Sequence, residues 1–203
     1  MAMPRCIQAG LFAALLTGCQ TVASGAGLKA DIVIENGQVF TGENLPAQSL
    51  MVAVSGDKIS YVGPAKPIAA ARRIDARGQM VLPGFIDPHT HALSDLKHKS
   101  AEKREARAWQ FQGVTTVMIG NDGGGSPYID KKVTRFGKNG IGTNAALYVG
   151  HGQLRRTVMG DEDRAPTPGE MAKMKALLAA GMEAGAIGFS SGLYYAPGSF
   201  SKL

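Results

Sequence analysis

Between residues 31 and 62 the apolar positions come in short runs separated by turn residues. Asp31-Ile32-Val33-Ile34-Glu35 and Gln38-Val39-Phe40 flank Asn36-Gly37, a pair that predicts a two-residue β-hairpin because both residues accept positive φ. Leu50-Met51-Val52-Ala53-Val54 and Lys58-Ile59-Ser60-Tyr61-Val62 flank Ser55-Gly56-Asp57 and predict a second hairpin. Ile74 to Met80 then leads out of this β region. From Val81 the pattern changes to apolar runs alternating with helical periodicity, which predicts βαβ units and a parallel sheet. Val81-Leu82-Pro83-Gly84-Phe85-Ile86 is the first of these runs, and Ser94 can cap a helix reaching Phe111, with Gly113 ending it. Val114, Thr115, Thr116, Val117 and Ile119 make a β-branched second strand, and Ala145 to Val149 makes the next. Thr167, Pro168 and Glu170 predict a helix start with a capping box. Met171, Met174, Leu178 and Met182 recur along that helix at a spacing that predicts its buried face. Gly185 stops the helix, and Ile187-Gly188-Phe189 opens another strand.

With 203 residues and 44% hydrophobic content, the chain can bury a core and is too apolar for disorder. Its formal charge of +6 comes from scattered Lys and Arg with no accompanying nucleic-acid motif, so these read as surface charges and no nucleic-acid partner is expected. Residues 1–19 carry Arg5, an apolar stretch from Ile7 to Leu16, and then Leu16-Thr17-Gly18-Cys19. That is the layout of an export signal, too short to span a bilayer, and its last four residues resemble a bacterial lipobox. The expectation is a lipid anchor on Cys19, loss of Cys6 with the signal, and a mature protein held at the bacterial cell envelope or in the periplasm. An ordinary secretory signal is the alternative. Residues 20–29 read as a tether, 30–80 as a small β domain and 81–203 as a barrel segment. The closing Ser201-Lys202-Leu203 matches a peroxisomal address, which the bacterial-type start makes accidental.

The candidate chemistry sits just past the first barrel run, at Asp87-Pro88-His89-Thr90-His91. Alternate residues of an extended strand face the same way, so His89 and His91 can converge on one small object. At the C-terminal end of a barrel strand, that object is expected to be a divalent metal. Val81 to His91 resembles the first barrel strand of the amidohydrolase superfamily. Four more stretches narrow the resemblance to its D-aminoacylase (N-acyl-D-amino-acid deacylase) branch: Gln112 to Asn121, Val149 to Arg155, Val158-Met159-Gly160, and Gly185 to Tyr195.

The resemblance implies an α/β fold: an incomplete (β/α)8 TIM-type barrel, about its first four βα units, preceded by a small β-sandwich-like domain. A complete barrel takes roughly 250 residues, so either a fragment or a truncated product with an open sheet edge is expected. It also implies a hydrolase of linear amides that cuts the acyl group from an N-acyl-D-amino acid, with one or two Zn2+ ions. His89 and His91 would be metal ligands, Tyr195 and His151 would lie against the small-molecule substrate, and further ligands and a proton-shuttling aspartate would lie beyond residue 203. Where relatives of that branch have Gly-Asn-Cys-Gly with a metal-binding cysteine, this chain has Gly120-Asn121-Asp122-Gly123. Asp122 is thus either a replacement oxygen ligand or an ordinary turn aspartate. Ala186 to Leu193 contains no lysine, against the carbamylated-lysine sites of hydantoinases. Gly123-Gly124-Gly125 lacks the Lys-Ser/Thr of a phosphate loop and reads as a turn. Alternatives are another amidohydrolase, such as a β-aspartyl dipeptidase or cyclic amidase, or a non-catalytic remnant.

Overall fold

The computed structural model describes residues 27–43 and 45–201. The expected signal segment with Cys6 and Cys19, and most of the expected tether, lie outside the described residues. The chain divides into two compact units at Leu82/Pro83.

The first unit holds β1 (Lys29–Glu35), β2 (Gln38–Val39), β3 (Gln48–Ser49), β4 (Met51–Ser55), β5 (Lys58–Gly63), β6 (Ala69–Asp75) and β7 (Met80–Val81). They form one sheet of order β5-β4-β1-β6 and a second of order β3-β2-β7. The hairpin at Ser55-Gly56-Asp57 forms, with Val52 opposite Val62 and Gly56 at φ +59°. The expected hairpin at Asn36-Gly37 does not. β1 pairs antiparallel with β4 and parallel with β6, while β2 joins the other sheet. Asn36 still takes positive φ (+64°), but its amide reaches the Asp75 carboxylate at 3.0 Å, so the turn passes the chain between sheets instead of folding it back. Gly37 is required there, because a Cβ would stand 2.7 Å from Val81 Cγ2 and 2.9 Å from Ala76 Cβ. Val33, Met51, Ala53 and Ile68 form the buried cluster of this unit.

The second unit is a curled parallel half-barrel. Its strands β8 (Phe85–Asp87), β9 (Val114–Ile119), β10 (Asn144–Gly150) and β11 (Gly188–Ser190) run parallel in the order β11-β10-β9-β8. Between β8 and β9 lie three short helices, α1 (Leu93–Leu96), α2 (Ala101–Arg104) and α3 (Arg107–Gln110), where the sequence predicts one helix from Ser94 to Phe111. Arg104 gives the reason: its guanidinium donates to the carbonyls of His98, Lys99, Asn139 and Gly140. The carbonyls of His98 and Lys99, inside the segment, are thereby satisfied without intrahelical bonds, and the other two bonds tie the segment to the end of the helix that follows β9. Ala106, at φ +52°, makes the last break.

Two helices go beyond the sequence reading, α4 (Ile129–Asn139) and α5 (His151–Met159). The last, α6 (Pro168–Glu183), starts as expected: the Thr167 hydroxyl accepts from the Glu170 N–H, and the Glu170 carboxylate accepts from the Thr167 N–H at 2.8 Å. Its buried face differs from expectation. Met174 and Gly181 are buried with Leu177 and Leu178 packed beside them, whereas Met171 and Met182 are exposed. The stripe runs through Gly181 because a side chain there would meet Val149 Cγ2 at 2.6 Å and the Pro127 carbonyl at 3.1 Å. Val117, Ile119, Val149, Leu154 and Ile129 lie at the centre of the core that holds the strand ends in place. No helix among the described residues is long and apolar enough to cross a membrane.

Candidate metal centre

β8 ends at Asp87, so the two histidines stand on the loop beyond it, not on the strand itself. Thr90 between them is 4% exposed and fixes that loop to the end of β9, its N–H and hydroxyl both donating to the Met118 carbonyl at 3.1 and 2.9 Å. The Asn121 amide ties the same two strand ends together by donating to the carbonyls of Thr90 and Met118, each at 3.1 Å. The Asp87 carboxylate accepts from the His89 N–H at 3.1 Å. With Thr90 pinned inward, His89 and His91 project outward together, ring centroids 5.7 Å apart at 72°.

Asp122 comes from the loop after β9. It holds φ +55° between Gly120 (+96°) and Gly123 (+74°). Among residues with a side chain, aspartate and asparagine tolerate this region best. The loop is clasped from both sides. Gly123 N–H donates to the Ser190 hydroxyl at 3.2 Å, the Gln153 N–H donates to the Gly123 carbonyl at 3.1 Å, and the Ser190 hydroxyl donates to the Gly120 carbonyl. The result places Asp122 Oδ2 3.4 Å from His89 Nε2 and 3.6 Å from His91 Nε2. Available ligand atoms of all three residues lie within 4.8 Å of one another.

These distances test the fit to a metal. Tetrahedral donors each about 2.1 Å from zinc stand about 3.4 Å apart. The two separations from Asp122 match that spacing, the third ligand atom pair lies within 4.8 Å, and two imidazoles with a carboxylate are a donor set that zinc accepts. The side chains of His89 and His91 remain 60% and 77% exposed, which leaves the opposite side open to other groups.

A cleft of about 340 Å3 opens beside the cluster, lined by His91 and Asp122, by Gly152, Gln153 and Arg156 of α5, and by Tyr195 from the loop after β11. Tyr195 therefore shares the cleft with the cluster. The His151 ring is engaged elsewhere, its Nδ1 3.4 Å from the Ser191 hydroxyl, its Nε2 3.2 Å from the Ser201 hydroxyl, and its edge against Phe189. Burial, and secondly the neighbouring Arg155 charge, pull the His151 pKa below the ordinary imidazole value. Arg155 is 2% exposed and donates from Nη2 to the carbonyls of Glu162 and Arg164, which anchors the segment between α5 and α6. Arg156 and Gln153 join the cleft without a signal in the sequence, since nothing in their spacing distinguishes them from a solvated helix face.

Residues 72–201 match the family model described as "Amidohydrolase family". The chain belongs to the amidohydrolase family. Over 196 residues it is 35% identical to an N-acyl-D-glutamate deacylase of Alcaligenes xylosoxydans xylosoxydans, a match covering 86% of this chain and 39% of that enzyme. A D-aminoacylase of the same organism is 34% identical, over 82% of this chain and 38% of the relative. Among solved structures, the N-acyl-D-glutamate deacylase of Bordetella bronchiseptica, complexed with zinc and a phosphonate mimic of the tetrahedral intermediate, superposes with a TM-score of 0.77 at 32% identity, over 86% of this chain and 40% of that one. The chain thus spans about two fifths of the length of these amidohydrolases.

Proposed function

We propose that this chain carries part of the active site of a metal-dependent hydrolase that cleaves the linear amide of an N-acyl-D-amino acid. The observation that carries the reading is the His89, His91 and Asp122 cluster, spaced for a single divalent ion at the C-terminal ends of the parallel strands, where barrel enzymes hold their reacting groups. The likeness to deacylases, one of them solved with zinc, supports the amide substrate and the choice of metal.

In this reading the imidazoles of His89 and His91 and the carboxylate of Asp122 would hold zinc. When bound, zinc supplies a water acidic enough to act as nucleophile near neutral pH and polarises the acyl carbonyl. The Tyr195 phenol, in the same cleft, offers an O–H donor for the substrate. Gly123, Gly124, Gly152 and Gly192 line the cleft with bare backbone, leaving room for the acyl amino acid between the loops. His151, held between two serine hydroxyls, ties the start of α5 to the loop bearing Tyr195 and so affects substrate placement through that loop.

The test is zinc titration of the purified chain against a competing chelator, followed by assay of N-acetyl-D-glutamate and its L-enantiomer. One zinc per chain, lost in His91→Ala and Asp122→Ala, supports the reading. Wild-type chain that takes up no zinc refutes it. The same proposal includes two further parts. The two sheets before residue 82 form a small β-sandwich-like layer pair, supported by β1 running into β2 and β6 into β7 across the two sheets. The protein is held at the cell envelope through a lipid on Cys19, supported by the Leu16-Thr17-Gly18-Cys19 run and tested by palmitate labelling that disappears in Cys19→Ser.

A further inference from the structure

We propose that Arg156 is the anion receptor of the cleft, taking a carboxylate of the substrate and so setting a preference for acidic over uncharged ligands. The inference rests on the deacylase reading above and goes beyond it to a residue and a charge requirement. Among the described residues that line the cleft, Arg156 is the one side chain with a permanent positive charge, and Asp122 is the one carboxylate, already committed to the histidine pair. Asp122 and Arg156 line the same cleft of about 340 Å3, so a ligand filling it meets both charges.

The guanidinium is held in place on two of its nitrogens. Nε donates to Asp161 Oδ1 at 2.8 Å, and Nη2 donates to the Ala196 carbonyl at 3.3 Å, next to Tyr195. Nη1 has no partner among the described residues. An arginine fixed on two nitrogens loses less freedom when its remaining edge accepts an anion, and that fork geometry suits a carboxylate. The backbone adds a second contribution of the same sign. Gly152, the second residue of the nine-residue α5, lines the cleft with an N-terminal turn that has no side-chain cap, and the positive end of that helix dipole faces the same space. Arg155, one position earlier, is buried with its charge spent on loop carbonyls. Asp161 limits the effect, since it already neutralises part of the Arg156 charge at the rim.

An N-acyl amino acid carries an α-carboxylate, and an acidic one carries a second on its side chain. Both present the same chemistry to Arg156, and the experiment separates them. The zinc affinity of wild-type and Arg156→Gln chains is measured first, with no change expected, so that failure of the metal reading shows as absent zinc binding. Binding of N-acetyl-D-glutamate, N-acetyl-D-glutamine, the α-amide of N-acetyl-D-glutamate and the uncharged diamide is then followed by calorimetry or ligand NMR on the zinc-loaded 203-residue chain. Arg156→Gln is expected to weaken carboxylate ligands by about tenfold, the scale of one charge-assisted hydrogen bond pair at a partly exposed site, and to leave the diamide within about twofold. Arg156→Lys should recover part of the loss. A loss confined to ligands with the side-chain carboxylate assigns that group, and a loss confined to those with the α-carboxylate assigns the other. Equal binding of all four ligands by wild type, or unchanged carboxylate binding in Arg156→Gln, overturns the proposal.

Discussion

Gly192→Ala should damage zinc binding although residue 192 contributes no ligand. A Cβ at this position would stand 2.4 Å from the Asp122 carbonyl oxygen, 2.7 Å from its carbon and 2.9 Å from its Cα, all backbone atoms. Ordinary contact at a Cβ begins near 3.4 Å, so the loop after β11 and the loop bearing Asp122 must separate by about 1 Å, an overpacking strain that costs about 1–3 kcal/mol. The displaced atoms belong to the residue whose carboxylate stands 3.4 and 3.6 Å from the two imidazoles. Metal sites tolerate only about 0.2 Å in ligand distance. Moving a supporting group commonly lowers metal affinity by about 10–100-fold, and that is the loss expected here. Two variants frame the result. Asp122→Asn removes the charge while keeping size and backbone preference, and sets the loss due to the ligand itself. Gly169→Ala, at a helical glycine with nothing within 4 Å, should leave zinc affinity unchanged. Chelator competition gives the dissociation constant and calorimetric unfolding without metal gives the strain. If Gly192→Ala unfolds at a lower temperature yet binds zinc within twofold of wild type, the two loops do not position Asp122 and the reasoning is wrong.

Two other predictions concern the scaffold. Arg164, and secondly the Thr167 N–H, hold the Glu170 carboxyl down to about 2, below its ordinary value of 4.5. The folded state therefore gains stability that is complete above pH 4.5 and is lost as pH falls toward 2. Urea titrations across that window should show a slope for wild type and a smaller one for Glu170→Gln, while Thr167→Ala should cost about 1 kcal/mol at pH 7 through loss of the cap. Gly137 lies in α4, and a Cβ added there would find nothing within 4 Å. Gly137→Ala should therefore raise the urea midpoint by an amount worth about 0.5–1 kcal/mol; a lower midpoint would mean that α4 is not helical there.

The parts of the fold that are legible in the chain are those where local chemistry and tertiary placement agree. The β-branched run of β9 and the capping box of α6 are settled by residues within one turn or one strand, and both stand where the sequence puts them. Asn36-Gly37 misleads because a turn motif reports backbone conformation and not the partner of the strand that follows. The conformation is present at Asn36, but β2 pairs with β3 and β7. The region from Ser94 to Phe111 misleads because the Arg104 guanidinium satisfies the carbonyls of His98 and Lys99 and also ties the segment to Asn139 at the end of α4, neither of which helix periodicity registers. α4 escapes the pattern because it buries only Ile129 and Phe136, one apolar contact every two turns. α5 escapes it because the helix begins directly at the end of β10 with no capping side chain. In the site, the His-x-His pair is visible as chemistry, although its convergence depends on a pinned loop and not on strand alternation.

Asp122 brings these levels together. The sequence leaves two accounts of it open, turn residue or metal ligand, as though one excluded the other. The backbone shows why they are compatible. Gly120 and Gly123 let three strand ends approach so closely that a Cβ on Gly120 would meet Gly125 Cα and the Tyr148 carbonyl, each at 2.8 Å. The chain between them must pass through positive φ at residue 122. A β-branched or bulky residue would be strained there, while aspartate enters that region at low cost. The preference that makes aspartate a good turn residue is thus also what presents its carboxylate, without strain, to both imidazoles. It follows that Asp122→Val should cost more in folding stability than Asp122→Asn, although neither retains the carboxylate. Equal unfolding midpoints for the two variants in metal-free buffer would show that the turn does not select residue 122, and would leave the metal as the only reason for an aspartate there.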